Sequence, residues 1–307
     1  MTALDIRLNS FSKEELKANS KSTKLMEAAL ASNSCILKTD NGPQLWRRFN
    51  TPLYRKFTKA QEYMERVAID LLSQKIRLFK ETKDKKPKTL LEGYLSSPEV
   101  DFKDITGMIC DFLLAGIDTS AYTTSFVLYY LSCNPKVQEA LHEESKTLLS
   151  RWDEPVTKEI LNKAHYTKAV LKESLRLRPV SVGIGRVLDK DAIFSGYHVP
   201  KQTVVVSQNQ VSCRFEEYFE NPNEFKPERW LRSYEAYKSV HPFLVLPFGH
   251  GPRSCIARWL AEQNIRILLL KLSRRFKIRW NGGALDSKSL LINKPDGPIK
   301  LIFDERK

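Results

Sequence analysis

Residues 247–257 read Pro-Phe-Gly-His-Gly-Pro-Arg-Ser-Cys-Ile-Ala, a glycine-punctuated turn that carries one cysteine, Cys255, towards an apolar-periodic segment. That segment, Ile256–Phe276, sets Leu260, Ile265, Ile267, Leu268, Leu269, Leu270 and Leu272 among Arg258, Glu262, Arg266 and Lys271. The spacing predicts a helix with one broad buried face. Cys255 is then expected at a helix N-terminus, where unpaired N–H groups and the positive end of the dipole suit a sulfur ligand.

Gly249 and Gly251 let the backbone turn tightly and lie close to something flat. Phe248 can pack beside the sulfur, and Arg253 can meet a carboxylate. A haem held through a cysteine needs a shielded sulfur and a cation for its propionates, and the stretch offers both. The motif resembles the haem-binding signature of the cytochrome P-450 family at Phe248, Gly249, Gly251, Arg253 and Cys255. Ala257 departs from it, standing where the family usually has glycine. A lone cysteine on a turn is more often a buried structural thiol. Five matched positions within eleven residues favour the ligand instead.

A second stretch, Ala115-Gly-Ile-Asp-Thr-Ser120, lies inside the long periodic segment Asp101–Asn134, which Pro135 closes. A helix of that length runs roughly 50 Å at about 1.5 Å per residue. Asp104, Asp111 and Asp118 recur along it and argue for a buried central helix over a membrane span. Ala115 and Gly116 leave room beside a flat cofactor, and Asp118 and Thr119 put an acid and a hydroxyl at that gap. The stretch is similar to the oxygen-activation segment of the same family, whose threonine and acid deliver protons; those roles fall on Thr119 and Asp118. The plainer alternative is that Thr119 bonds back to a helix carbonyl.

Glu173 and Arg176, three apart in Tyr166–Arg178, share a helical face. They resemble the family's Glu-x-x-Arg, and Phe225-Lys-Pro-Glu-Arg-Trp230 supplies the second arginine, Arg229, that completes its scaffold cluster. After Pro179, residues Val180–Ile184 fall where the family brings side chains over the haem, and Arg186 falls where it meets a propionate. Strands are predicted at Ala192–Val199 and Thr203–Val206 around a turn at Ser195-Gly196. A hairpin is predicted within Leu290–Phe303, broken by Pro295-Asp-Gly-Pro298. Apolar pocket walls imply a lipophilic substrate.

Towards the N-terminus, Phe11–Leu30 and Ala60–Phe79 read as helices. The connector holding Leu45-Trp-Arg-Arg-Phe49 and Pro52-Leu-Tyr-Arg-Lys-Phe57 mixes aromatics with cations, as membrane-interface surfaces do and as ordinary amphipathic connectors also do. Lys80–Lys88 is a charged run without an apolar residue and reads as a solvated loop. Pro135–Leu149 and Thr157–Lys163 read as surface helices.

The 307 residues, 42% hydrophobic, suffice for a substantial core. Fifty basic against 36 acidic residues give a net charge of +14, which suits nucleic acid, an anionic membrane or an acidic protein. Nucleic acid is disfavoured, because neither zinc-ligand spacing nor an RNA-binding aromatic signature is present. Five cysteines without a CxxC pair indicate neither a disulfide framework nor a zinc site, and point to a reducing compartment. Met1–Arg7 shows neither a signal-peptide core nor an amphipathic leader.

The resemblance reaches finer ground at Lys168 and Lys172, one turn apart, which match the lysine pair on which mitochondrial-class members dock a ferredoxin. Arg258 matches a basic residue of the same face, while Trp259 stands where a second arginine is usual. Together, Phe248–Asn264 and Leu114–Ser120 look most like the arthropod mitochondrial group and, within it, the ecdysteroid 22-hydroxylases. The resemblance implies a mainly α fold with small β-sheets, forming one domain, with haem b ligated by Cys255. It implies a monooxygenase acting on a sterol-like substrate with electrons from an adrenodoxin-like ferredoxin, on the matrix side of the mitochondrial inner membrane. It also implies that a complete member is longer on its N-terminal side, by a targeting segment, the first sheet and the early helices. Two other readings stand beside this one: a mitochondrial-type member acting on xenobiotics, and a truncated non-catalytic chain.

Overall fold

A computed structural model describes residues 8–40, 43–81, 87, 89–234 and 240–306. The chain groups into two compact units, one within residues 1–119 and one within residues 120–307.

The first unit is helical. It contains α1 (Lys21–Asp40), α2 (Pro52–Glu81), α3 (Leu90–Leu95) and the first part of α4 (Phe102–Cys133). On α2, Ala60, Met64, Val67 and Leu71 recur at helical spacing and bury against Leu25, Ala28 and Ala29 of α1. Leu113, Leu114 and Ile117 of α4 pack on the same cluster. A second stripe of α2, Ala68 and Leu72, meets Leu91, Ile105 and Ile109. Each such leucine contributes about 1.5–3 kcal/mol on burial. A largely buried ion pair, Lys75–Glu92 at 2.8 Å, joins α2 to α3. Thr89 and Glu92 close a capping box at the start of α3.

Helix α1 begins ten residues later than the periodicity of Phe11–Leu30 predicts. Asn19 adopts a left-handed φ of 68°, and Ser20 Oγ accepts from the Thr23 amide at 3.1 Å, so the helix starts there. Pro52–Phe57, read as connector, is instead the first turns of α2. Pro52 occupies the first helical position, where its missing N–H costs nothing, and Thr51 Oγ1 accepts from the Tyr54 amide at 3.2 Å. Of the connector, Leu45–Arg47 forms a 3₁₀ turn. Most of the charged run Lys80–Lys88, and Met1–Arg7, lie outside the described residues.

The second unit holds the rest of α4, then α5 (Pro135–Leu148), α6 (Lys158–Lys163), α7 (His165–Leu177), α8 (Asn209–Ser212) and α9 (Arg258–Arg275). Its described strands form antiparallel pairs. β1 (Ile184–Val187) pairs with β4 (Val204–Ser207), and β2 (Ala192–Phe194) with β3 (Tyr197–Val199). β5 (Phe276–Trp280) pairs with β8 (Leu301–Glu305), and β6 (Ser287–Ser289) with β7 (Asn293–Pro295). Ser195 and Gly196 both have positive φ, as a two-residue hairpin requires. The hairpin predicted within Leu290–Phe303 is not one element. Pro295–Pro298 separates β7 from β8, and each pairs with an earlier strand.

The core of this unit gathers Val127 and Leu131 of α4, Val137 and Leu141 of α5, Val170, Leu171 and Leu175 of α7, and Ile265 and Leu269 of α9. Gln138 ties α5 to β5 by accepting from the Ile278 amide at 2.6 Å and donating to its carbonyl at 2.9 Å. Among the described residues, no helix is long and apolar enough to cross a membrane.

Candidate functional site

The loop before α9 is held by its own backbone. Cys255 N–H donates to the Phe248 carbonyl at 2.8 Å, and Ser254 N–H to the Gly251 carbonyl at 2.9 Å. Gly249 and Gly251 take φ of 74° and 78°, values that side-chain-bearing residues rarely adopt. Helix α9 starts at Arg258, two residues later than predicted, because 256 and 257 continue the turn. Cys255 therefore sits three residues ahead of the helix, and it is exposed. By contrast, Cys213 is buried, and burial pushes its thiol up to about 11.

These residues fit a haem held through Cys255. The sulfur is accessible, and a side chain added at Gly251 would meet nothing within 4 Å, so the loop presents a bare face. Arg186 of β1 donates to the His250 carbonyl at 3.4 Å, which brings a cation to the loop carrying Arg253. Both arginines are exposed, and among the described residues neither pairs with a carboxylate. They suit the carboxylates of a ligand.

Behind α7 the structure assembles the charge cluster. Arg176 grips Glu173 through two bonds, Nε to Oε2 at 2.9 Å and Nη2 to Oε1 at 2.8 Å. Arg229 Nε donates to Oε1 at 3.0 Å. All three residues are buried. Their remaining donors reach backbone carbonyls: Arg176 those of Cys213, Pro222 and Glu224, Arg229 those of Glu220 and Asn221. Five carbonyls of one irregular segment are thus fixed to α7. Two further donors to Glu173 carry no sequence signal, the Trp230 indole at 2.8 Å and the Lys226 amide at 3.0 Å. Trp230 stands beside Arg229 in the chain, but only the tertiary fold aims its N–H.

Within the first unit, Asp118 is buried and accepts from Asn33 Nδ2 at 2.7 Å. Thr119 Oγ1 donates to the Ala115 carbonyl at 2.6 Å, the back-bond that sequence alone allows. Ala115 and Gly116 are exposed on that side. Asn33 lies far from Asp118 in sequence, and no spacing pattern announces the contact.

Lys168, Lys172 and Arg258 come together as one basic surface. Lys172 is half-buried and its ammonium lies 4.0 Å from the centre of the Trp230 ring. Burial, and then the nearby charges of Lys168 and Arg258, hold its pKa below the ordinary lysine range. The Arg258 guanidinium lies over Phe248 of the cysteine loop at 5.5 Å and donates to Glu262 at 3.0 Å.

Comparison with known proteins agrees with this geometry. The family model described as Cytochrome P450 matches residues 1–303. The chain is 50% identical over 296 residues to "Cytochrome P450 302a1, mitochondrial" of Drosophila melanogaster, covering 95% of this chain and 59% of that protein. It is 34% identical to "Probable cytochrome P450 12a5, mitochondrial" of the same organism, covering 99% of this chain and again 59% of the relative. The chain thus spans about three fifths of the length of these two relatives. Among solved structures, the heme domain of cytochrome P450DA superposes with a TM-score of 0.83 at 23% identity, covering all of this chain and 65% of that one. The glycine loop that presents Cys255, the buried Glu173 cluster and a family match over nearly the whole length lead to one conclusion: the chain belongs to the cytochrome P450 family.

Proposed function

We propose that the chain is the haem-binding part of a mitochondrial monooxygenase. The observation that carries this reading is the exposed Cys255 on a loop flattened by Gly249 and Gly251, within a family whose cofactor is haem held by a cysteine thiolate. Haem in that setting supplies activation of dioxygen and insertion of one oxygen atom into a C–H bond. The chain's own residues do the rest. Phe248 shields the sulfur, Arg186 and Arg253 meet the propionates, and Glu173, Arg176 and Arg229 hold the scaffold behind them. Asp118 and Thr119 handle protons.

Lys168, Lys172 and Arg258 form the face that receives electrons from an acidic ferredoxin, supported by their clustering and by the net charge of +14. The substrate is sterol-like, an ecdysteroid precursor. Support for it comes from the run Phe248–Asn264 and from the likeness to mitochondrial relatives. Leu45 and Phe49 are exposed among Arg47, Arg48, Arg55 and Lys56, a mixture suited to the surface of an anionic membrane. We place the protein at the matrix face of the mitochondrial inner membrane.

The test is the reduced, carbon monoxide-bound absorption spectrum of the haem-loaded chain. A thiolate-type band is expected, and Cys255→Ser should abolish it. A band retained by that variant removes Cys255 as the ligand.

A further inference from the structure

Asn293 opens β7 and is fully buried, an amide at a depth where apolar side chains are the rule. Its Nδ2 donates to the Pro179 carbonyl at 2.9 Å and to Gln210 Oε1 at 2.8 Å, and its backbone N–H to the Val180 carbonyl at 2.8 Å. The N–H of Gln210, in α8, donates to the Val182 carbonyl at 3.2 Å. Two residues thus hold three carbonyls of the stretch 179–183, which lies outside the strands. The Arg178–Asp286 ion pair, at 2.7 Å, joins the same two parts of the chain through a largely exposed carboxylate. Among the described residues nothing donates to Asn293 Oδ1. A buried acceptor without a donor is costly, so stability alone would favour an apolar side chain here. What the amide supplies instead is direction.

The bonds lead to two places. One is Leu290-Leu291-Ile292, the turn between Ser289 and its strand partner Asn293, where Leu290 and Leu291 are 41% and 40% exposed. The other is the cysteine loop. Asn209, next to Gln210 and itself buried, donates through Nδ2 to the Leu246 carbonyl at 3.1 Å, and the same carbonyl takes the Gly249 N–H at 3.0 Å. Asn293, Gln210 and Asn209 therefore connect an apolar turn to the loop that carries Cys255.

We propose that Asn293 is a positioning residue for a lipophilic substrate: with Gln210 it fixes the apolar turn Leu290–Ile292 and the stretch 179–182 relative to the Cys255 loop, so that the turn serves as a wall of the site. This rests on the reading of Cys255 as the haem ligand. An apolar wall orients a ligand by shape, and it does so only as well as it is placed. Asn293 touches neither substrate nor cofactor in this scheme; it acts through the segments it holds.

Two measurements on the full chain test it. Asn293→Leu keeps the size of the side chain and removes both of its donors. In the first measurement, hydrogen exchange is read residue by residue. The amides of Leu290, Asn293 and Gln210 should exchange about tenfold faster in the variant, with those of α7 unchanged. Equal exchange overturns the proposal. In the second, the haem-loaded chain is titrated with imidazole and with phenylimidazole, each followed by the shift of the haem absorption band. Imidazole reports the iron alone, and the phenyl group adds contact with the wall. Asn293→Leu should lower the preference for phenylimidazole about tenfold, with the thiolate-type band and the imidazole affinity unchanged. An unchanged preference with an intact band overturns the proposal. Asn293→Gln combined with Gln210→Asn restores the joint reach of the two amides and should recover part of both effects, and Asn293→Ser serves if Asn293→Leu does not fold. Absence of the thiolate-type band in the wild-type chain instead overturns the functional reading, and the exchange rates still decide whether Asn293 holds the two segments.

Discussion

Glu173 accepts five hydrogen bonds on two oxygens, from Arg176 twice and from Arg229, Trp230 and Lys226 once each. Its removal would strand two buried guanidinium groups and an indole N–H. Glu173→Ala should therefore cost about 3–5 kcal/mol, the range for breaking one partner out of a buried ionic cluster. Urea unfolding of the chain measures it, and a loss under 1 kcal/mol would mean that water replaces the carboxylate. At this scale the sequence is legible where chemistry is encoded by spacing. Glu173 and Arg176 stand three apart, and Cys255 sits in a dense motif. Contacts made across the fold are not legible. Asn33 and Trp230 each donate to a target that only tertiary packing fixes, and residue type says nothing about direction.

Among the elements, α7 has a start that depends on another helix. Its N-cap position is Ala164, which has no side-chain acceptor. Glu144 of α5 fills the role, accepting from the amides of Tyr166 at 2.6 Å and Thr167 at 2.8 Å and from the Thr167 hydroxyl at 2.6 Å. A carboxylate there also faces the positive end of the helix. Glu144→Ala should destabilise the chain by about 1–2 kcal/mol, as loss of a helix cap does; a shift of the urea midpoint at unchanged slope checks it. Glu144→Gln should recover part of the loss. Periodicity identifies α2, α4 and α9, since each buries apolar residues at helical spacing. It misjudged ends. The left-handed Asn19 delays α1, Pro52 extends α2, and the turn at 256–257 delays α9, because end positions depend on local backbone bonds rather than on the buried stripe. The C-terminal stretch reads as one hairpin because β7 and β8 are neighbours in sequence, whereas their partners lie earlier in the chain.

For the molecule as a whole, the excess of 14 positive charges sets how it meets a partner. An acidic ferredoxin should associate fastest at low salt and lose rate as the Debye length shrinks. Lys168→Glu with Lys172→Glu should lower that rate at least tenfold while leaving haem content intact. Lys172 is a cation only below its pKa, which lies under the ordinary 10.5. The association rate should then fall as pH rises, beginning at a lower pH than a free lysine would allow. Stopped-flow reduction across pH and salt checks both, and a flat response would separate these lysines from electron delivery. The family and its mainly α architecture were readable from a few dense motifs because such motifs require a particular backbone. The grouping into two compact units was not, since it reflects packing summed over every helix. One indole joins inner frame and outer surface: the edge of Trp230 is bonded to Glu173, and its face carries the Lys172 ammonium. A cation on a flexible four-carbon stem usually sweeps a wide arc and must give up that freedom on binding. Lys172 has surrendered much of it already, so a partner that meets it there finds a charge already mounted on the Glu173 cluster, and little is left to freeze.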